Sequence, residues 1–194
     1  MAYKMIVLDL DGTLTNNKKE ITPRTYEALM EAQKKGIVVV LASGRPTYGI
    51  MPLAKQLKLA EYGGYILAYN GGKIMDCKSG DTVFNQELCP DLVPMLYDEA
   101  MKAGVQILTY QGDGIAATKA DDEYVEHEAF INKMPVVEYS DFKNQVEYPI
   151  NKCLIVGDPE PLHKLELKLA AEMEGKISVY RSAPFFLECV PLGI

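Results

Sequence analysis

Two apolar runs separated by one helix's length constrain this chain more than anything else in it. The run Ile37-Val38-Val39-Val40-Leu41-Ala42 reads as a strand buried on both faces. It follows a helical stretch that Thr22-Pro23 opens and Gly36 closes, with Tyr26, Leu29, Met30 and Ala32 roughly on one side. Ile6-Val7-Leu8 supplies an earlier strand, so the order strand, helix, strand predicts a right-handed parallel crossover and an α/β fold. That first strand ends on Asp9-Leu10-Asp11-Gly12. Alternation puts Asp9 and Asp11 on one side of a strand, and Gly12 frees the backbone to turn immediately after the second acid. Both carboxylates then face one small volume at the edge where open α/β sheets place their ligands. Two acids at that point suggest a cation and a phosphate.

The second strand ends on Ser43-Gly44-Arg45-Pro46, and a helix is expected after Pro46. In isolation this is an ordinary turn with a helix cap. Taken together, Asp9-x-Asp11-Gly12-Thr13-Leu14-Thr15 and the Ser43 segment resemble the first two motifs of the haloacid dehalogenase (HAD) superfamily of phosphotransferases. The resemblance implies a Rossmann-like parallel-sheet core in which Asp9 attacks phosphorus and becomes an aspartyl-phosphate. Asp11 then protonates the leaving alcohol and later activates water. A carboxylate of ordinary pKa about 3.9 is ionised at neutral pH, so Asp9 needs no adjacent base. Asp11 must carry a proton in the first step, which a second carboxylate and partial burial are expected to favour by raising its pKa. By the same resemblance Mg²⁺ is held by an Asp9 oxygen and the backbone carbonyl of Asp11, hard oxygen donors for a hard cation. The phosphate cradle would comprise Leu10, Gly12, Ser43 and Gly44, with Ser43 hydrogen-bonding the transferring group. Arg45 either reaches substrate or pairs with an acid.

Tyr65-Ile66-Leu67-Ala68-Tyr69 reads as a third parallel strand, and Asn70-Gly71 before the short strand Lys73–Asp76 is most simply a hairpin turn. In the Cof-type branch of the superfamily an Asn-Gly here lies near the substrate, which makes Asn70 and Gly71 candidates as well. From about Thr82 the pattern becomes α+β. Helices are expected near residues 91–102, 122–132 and 159–174, and strands near 105–110, 114–119, 152–156, 178–182 and 185–191, adjacent enough to pair antiparallel. This half resembles the C2-type cap of Cof-type phosphatases. The expected organisation is residues 1–82 as the N-terminal part of the core, 83–188 as an inserted α+β cap, and 189–194 returning to a core whose remainder is absent. Gly112-x-Gly114 lacks the third glycine and context of a dinucleotide fingerprint, and His127 and His163 show no metal-ligand spacing.

The family also uses a lysine and a Gly-Asp-x-x-x-Asp type motif after the cap, so the resemblance implies a fragment that is inactive without them. Lys152 with Gly157-Asp158 imitates their order, but Pro159-Glu160-Pro161-Leu162 follows where a second acid belongs, and Asp158 before Pro159 reads as a helix N-cap. The implied activity of the complete protein is Mg²⁺-dependent hydrolysis of a phosphate monoester of a small metabolite, a sugar phosphate or similar. A phosphomutase or other phosphotransferase, or a non-catalytic phosphometabolite-binding protein, remains an alternative on the same residues.

A formal charge of −7 and a pI of about 4.9 argue against nucleic-acid binding, because Lys18-Lys19 and Lys34-Lys35 are short and flanked by acids. No apolar run approaches about 18 residues and nothing resembles a signal peptide, so a cytoplasmic location and no membrane partner are expected. The four cysteines, Cys77, Cys89, Cys153 and Cys189, have no C-x-x-C spacing and are expected to be free thiols. The oligomeric state has no signature.

Overall fold

The computed structural model describes residues 3–194, which divide into two compact units, one ending at Asn85 and one spanning Gln86–Ile194. In the first unit, β1 (Met5–Asp9) and β2 (Val38–Ala42) pair in parallel in the register Met5↔Val38 to Asp9↔Ala42. Between them lies α1 (Pro23–Lys34), started by Thr22, whose side chain accepts the Thr25 amide, and by Pro23, whose fixed φ suits a first helical position. α1 buries Leu29, Met30 and Gln33. After β2 come α2 (Thr47–Gln56) and the single turn α3 (Leu59–Tyr62), then β3 (Tyr65–Ala68), parallel to β2. β4 (Lys73–Asp76) and β5 (Thr82–Asn85) continue the sheet antiparallel, giving the order β1-β2-β3-β4-β5.

β2 is buried on both faces as its sequence demands, with Val39, Val40 and Leu41 at 3% exposure or less. β1 is different. It lies at the edge of the sheet, and alternate side chains Met5 and Val7 are 50% and 55% exposed. The parallel register is what positions the site, because it brings the carboxyl ends of β1 and β2, and hence Asp9 and Ser43, to one edge.

The second unit is a six-stranded sheet with helices. Its elements are α4 (Val93–Ala103), β6 (Gln106–Gln111), β7 (Gly114–Ala117), α5 (Glu123–Asn132), β8 (Val136–Glu138), α6 (Phe142–Gln145), β9 (Cys153–Val156), α7 (Pro159–Glu172), β10 (Ile177–Ala183) and β11 (Phe186–Pro191). The strand order is β10-β11-β9-β6-β7-β8, antiparallel except for β7 with β8. Gly112, at φ +60, turns the chain between β6 and β7. α4 and α7 place Leu96, Ala100, Leu162, Leu165 and Leu169 in one buried cluster with Ile107, Ile155 and Leu187. Cys189 through Pro191, expected to leave this domain, are paired residues of β11, opposite Cys153 of β9 and Ile177–Val179 of β10. All four cysteines are free.

Residues alternate to that core face the other side of the sheet, where Lys152 meets Glu188 at 2.9 Å with both side chains almost fully buried. The Lys152 ammonium also sits 5.4 Å from the Tyr110 ring centre, Ser182 donates to Glu188 at 2.8 Å, and Tyr110 donates to the buried Glu128 at 2.6 Å. Burial alone would lower the Lys152 pKa, but the Glu188 and Glu128 carboxylates raise it above its ordinary value. Asp158 does occupy the N-cap position of α7, yet its carboxylate accepts from Tyr124 at 2.8 Å and makes no cap bond. Pro159 and Pro161, at the first and third helical positions, have no amide hydrogen to offer, and the carboxylate turns to Tyr124 and away from the Glu160 amide between them. Lys152 is therefore committed to the interior of the second unit. No helix among the described residues is long and apolar enough to cross a membrane.

Removing one partner of a buried ion pair strands the other charge, so Lys152→Met is expected to cost about 3–5 kcal/mol of unfolding free energy. Lys152→Met with Glu188→Leu should recover much of that loss in urea denaturation. A double variant no better than the single one would contradict a paired role.

Candidate active site

Asp9 ends β1, is exposed, and its carboxylate takes no hydrogen bond or ion pair among the described residues. The next turn is held tightly. The Leu10 carbonyl accepts from the Thr15 amide at 2.9 Å and the Thr15 hydroxyl at 2.8 Å, and the Leu14 amide reaches the Asp9 carbonyl at 3.1 Å. Gly12 has φ +83, which glycine adopts without a Cβ penalty. The Leu10 side chain is fully buried, so only its main chain could meet a ligand.

Asp11 is held by two cations. Arg45 donates to both of its oxygens, Nε to Oδ2 at 2.8 Å and Nη2 to Oδ1 at 2.6 Å, a bidentate pair that matches guanidinium to carboxylate. Lys19 Nζ lies 2.6 Å from the same Oδ1. Burial pulls the Asp11 pKa upward, but the hydrogen bonds and charges of Arg45 and Lys19 outweigh it, and the pKa falls below its ordinary 3.8. The expected rise of Asp11 toward a protonated acid is thus overturned for this state, because two cations, and not the second carboxylate, dominate its surroundings. The choice left open for Arg45, substrate or acid, falls here to the acid.

Lys19 had no sequence signal. It sits in a small loop closed by the Thr15↔Ile21 bridge and shaped by Asn16, whose side-chain oxygen accepts the amides of Lys18 at 2.9 Å and Glu20 at 3.1 Å. Lys19 itself has φ +61, a left-handed conformation that costs an L-residue about 1–2 kcal/mol. Lysine has no preference for that region, so nothing in the residue type announces it.

The second strand end is equally constrained. The Ser43 hydroxyl accepts the Arg45 amide at 3.2 Å, and the Ser43 main chain bonds Leu67 at 2.9 Å and the Asn70 amide at 3.1 Å. Tyr69, Asn70 and Gly71 follow with φ of 52, 59 and 98. Asn70-Gly71 is thus not a two-residue hairpin turn: Ala68 pairs with Lys73, and four residues with three successive left-handed backbones cross between β3 and β4. Strain of this kind persists where the surroundings over-determine it. The determinants are visible, since Tyr69 is buried with its amide on the Arg45 carbonyl at 3.0 Å, and a Cβ on Gly44 would lie 2.5 Å from Asn70 Oδ1. Gly44 is required for Asn70 to approach.

Asp9, Asp11, Ser43, Gly44, Arg45 and Asn70 therefore come together at the ends of β1, β2 and β3, with Lys19 added. Among the described residues no three His, Cys, Asp or Glu side chains cluster as a metal site. The hard donors are the Asp9 carboxylate and the Asp11 main-chain carbonyl, which accepts no hydrogen bond among the described residues. That set suits Mg²⁺, which takes one or two carboxylates and keeps water or phosphate oxygens elsewhere. His127 lies against Phe185 and Phe186, and His163 beside Glu166, away from this arrangement in the chain and in the other unit.

The family profile of haloacid dehalogenase-like hydrolases matches residues 6–194. A crystal structure of a haloacid dehalogenase-like hydrolase from Bacteroides thetaiotaomicron is 51% identical, with a TM-score of 0.95 over 100% of this chain and 73% of that one. YxeH of Bacillus subtilis, provisionally named a phosphatase, is 29% identical over 191 residues, covering 96% of this chain and 69% of the relative. The 5-amino-6-(5-phospho-D-ribitylamino)uracil phosphatase YcsE of the same organism is 28% identical over 160 residues, 81% of this chain and 62% of the relative.

Because the native pKa of Asp11 is depressed, the stability its clamp contributes is present above the ordinary carboxylate value and lost as pH falls through the lowered native one. A carboxyl-carbon NMR titration should give Asp11 a midpoint below 3.8 in the metal-free protein. A midpoint above that value would contradict the clamp.

Proposed function

The chain belongs to the haloacid dehalogenase-like hydrolases, and from that premise we propose that it carries the nucleophile-bearing site of a phosphatase that cleaves phosphate monoesters of small metabolites. The observation that carries the reading is the contrast between its two acids: Asp9 exposed and unpartnered at a strand end, Asp11 two residues on and fully engaged. An exposed, unpartnered carboxylate is placed to attack phosphorus, forming an Asp9 acyl-phosphate as the P–O bond to the alcohol breaks. Water then cleaves that acyl-phosphate and frees Asp9.

Asp11 serves the second half as it stands, ionised and able to take a proton from water. The first half needs it protonated, and an incoming phosphoryl group would compete for Arg45 and Lys19 and release it. The Ser43 hydroxyl, whose hydrogen has no acceptor among the described residues, would donate to a phosphoryl oxygen, with Asn70 beside it on the Gly44 backbone. Mg²⁺, held by the Asp9 carboxylate and the Asp11 carbonyl, would supply positive charge against the phosphoryl oxygens. Relatives named as phosphatases, one of them acting on a phosphoribitylamino-uracil, support a small phosphorylated substrate, a sugar phosphate or similar.

Asp9→Asn should abolish formation of a beryllofluoride adduct, which mimics an acyl-phosphate, and any hydrolysis of p-nitrophenyl phosphate that the wild-type protein shows, with an unchanged melting temperature. Hydrolysis persisting in Asp9→Asn would sink the covalent mechanism. Phosphate released to water without an acceptor separates a phosphatase from a mutase, and binding without turnover marks a binding protein.

A further inference from the structure

α5 carries a carboxyl group and an amide one turn apart, Glu128 and Asn132, and buries both, at 5% and 1% exposure. Their hydrogen bonds are lopsided. Glu128 Oε1 takes two donors, the Tyr110 hydroxyl of β6 at 2.6 Å and Asn132 Nδ2 at 2.7 Å, while Oε2 takes none among the described residues. Asn132 Oδ1 is buried and has no donor either. Turning the Asn132 amide round does not help, because Nδ2 also donates at 3.0 Å to the Glu128 main-chain carbonyl, which can only accept. One oxygen of each side chain is left without a donor where water is scarce, a costly state for a carboxylate.

A neutral carboxylic acid has the observed pattern: a carbonyl oxygen with two lone pairs that accepts twice, and a hydroxyl that donates. The neighbouring groups allow it. Lys152 of β9 is already engaged by Glu188 of β11, whose two oxygens take Lys152 Nζ at 2.9 Å and the Ser182 hydroxyl of β10 at 2.8 Å. No cation forms an ion pair with Glu128 among the described residues. Tyr110 of β6 and Tyr180 of β10, which acts on Lys152, are the other titratable groups of the cluster, and His127 of α5 lies against Phe185 and Phe186. Burial pushes the Glu128 carboxyl above its ordinary 4.5, outweighing the Lys152 charge and the Tyr110 bond, which favour the ionised form. We propose that Glu128 is a neutral acid at pH 7 that donates from Oε2 to Asn132 Oδ1, closing an acid–amide ring, and that this proton latches α5 to the sheet so that the helix docks more firmly as pH falls. The latch lies within the second unit and is independent of the phosphatase reading.

The test is a carbon-detected NMR titration of the glutamate carboxyls in the full chain, with hydrogen exchange of the α5 amides followed over the same pH range. Glu128 should be protonated at pH 7. A Glu128 carboxyl already ionised there overturns the proposal, and that reading needs no variant. Because the native state holds the proton more tightly, the latch is fully present below the ordinary value of 4.5 and is lost as pH rises to the raised native midpoint. Corrected for base catalysis of exchange, the opening equilibrium of α5 should rise about tenfold per pH unit across that window and level off above it. Glu128→Gln puts an amide donor where the acid hydroxyl stood, so it should remove the rise while keeping α5 protection at pH 7 within a few-fold of wild type. A rise that persists in Glu128→Gln, or is missing from the wild-type chain, overturns the latch. Loss of α5 protection at every pH in a folded Glu128→Gln also overturns it, since that outcome requires the ionised carboxylate.

Discussion

The bidentate pair between Asp11 and Arg45 is the interaction around which the first unit is organised. It joins the turn after β1 to the turn after β2 with two bonds of 2.8 and 2.6 Å, and only a parallel register with Asp9 opposite Ala42 brings those turns within reach. Through the Arg45 carbonyl it extends to Tyr69, and through Ser43 to Asn70, so the ends of three strands become one hydrogen-bonded block. A guanidinium suits this position because it is planar, stays charged and keeps its donors in a fixed fork. A lysine there would hold Asp11 by a single mobile contact.

The block is built from unfavourable backbone as well as favourable contacts. Lys19, Tyr69 and Asn70 all lie in the left-handed region without being glycine, at about 1–2 kcal/mol each. Such conformations survive because neighbours leave no alternative, and here the neighbours are one another: a buried Tyr69 ring, a Gly44 without a Cβ, and an Asn16 side chain that fixes two amides. The local rules of backbone preference are broken at the site, as they are also at Lys58 and Lys133, and are obeyed in the capped start of α1 and the buried β2.

Much of this was legible from residues alone, for physical reasons that differ by element. β2 and α1 could be read because a continuous apolar run and a proline-led, glycine-closed helix leave few alternatives. The two motifs at successive strand ends were legible as a spacing. What escaped was either short or environmental. β8, α3 and α6 have three or four residues each, too few for a period to register. Asn70-Gly71 signals a turn but not its type, which Tyr69 and Gly44 decide through space. The ionisation of Asp11 was misjudged because it depends on Lys19, eight residues away and on a loop whose conformation lysine does not advertise. Asp158 holds the N-cap position its sequence announces, but its carboxylate turns to the Tyr124 hydroxyl, a partner 34 residues away that no local pattern signals.

β1 ends on Asp9 and leads into Asp11, and among the described residues it is the edge of its sheet, with Met5 and Val7 half exposed and one row of its backbone amides and carbonyls unpaired within the sheet. An edge of that kind is a template for another strand. A strand added there in parallel would finish beside Asp9, so its last residues would become neighbours of that carboxylate. One added antiparallel would begin there instead. Sheet completion and access to the Asp9 carboxylate are thus the same geometric event in this fold: whatever pairs with β1 along that edge becomes a neighbour of that carboxylate.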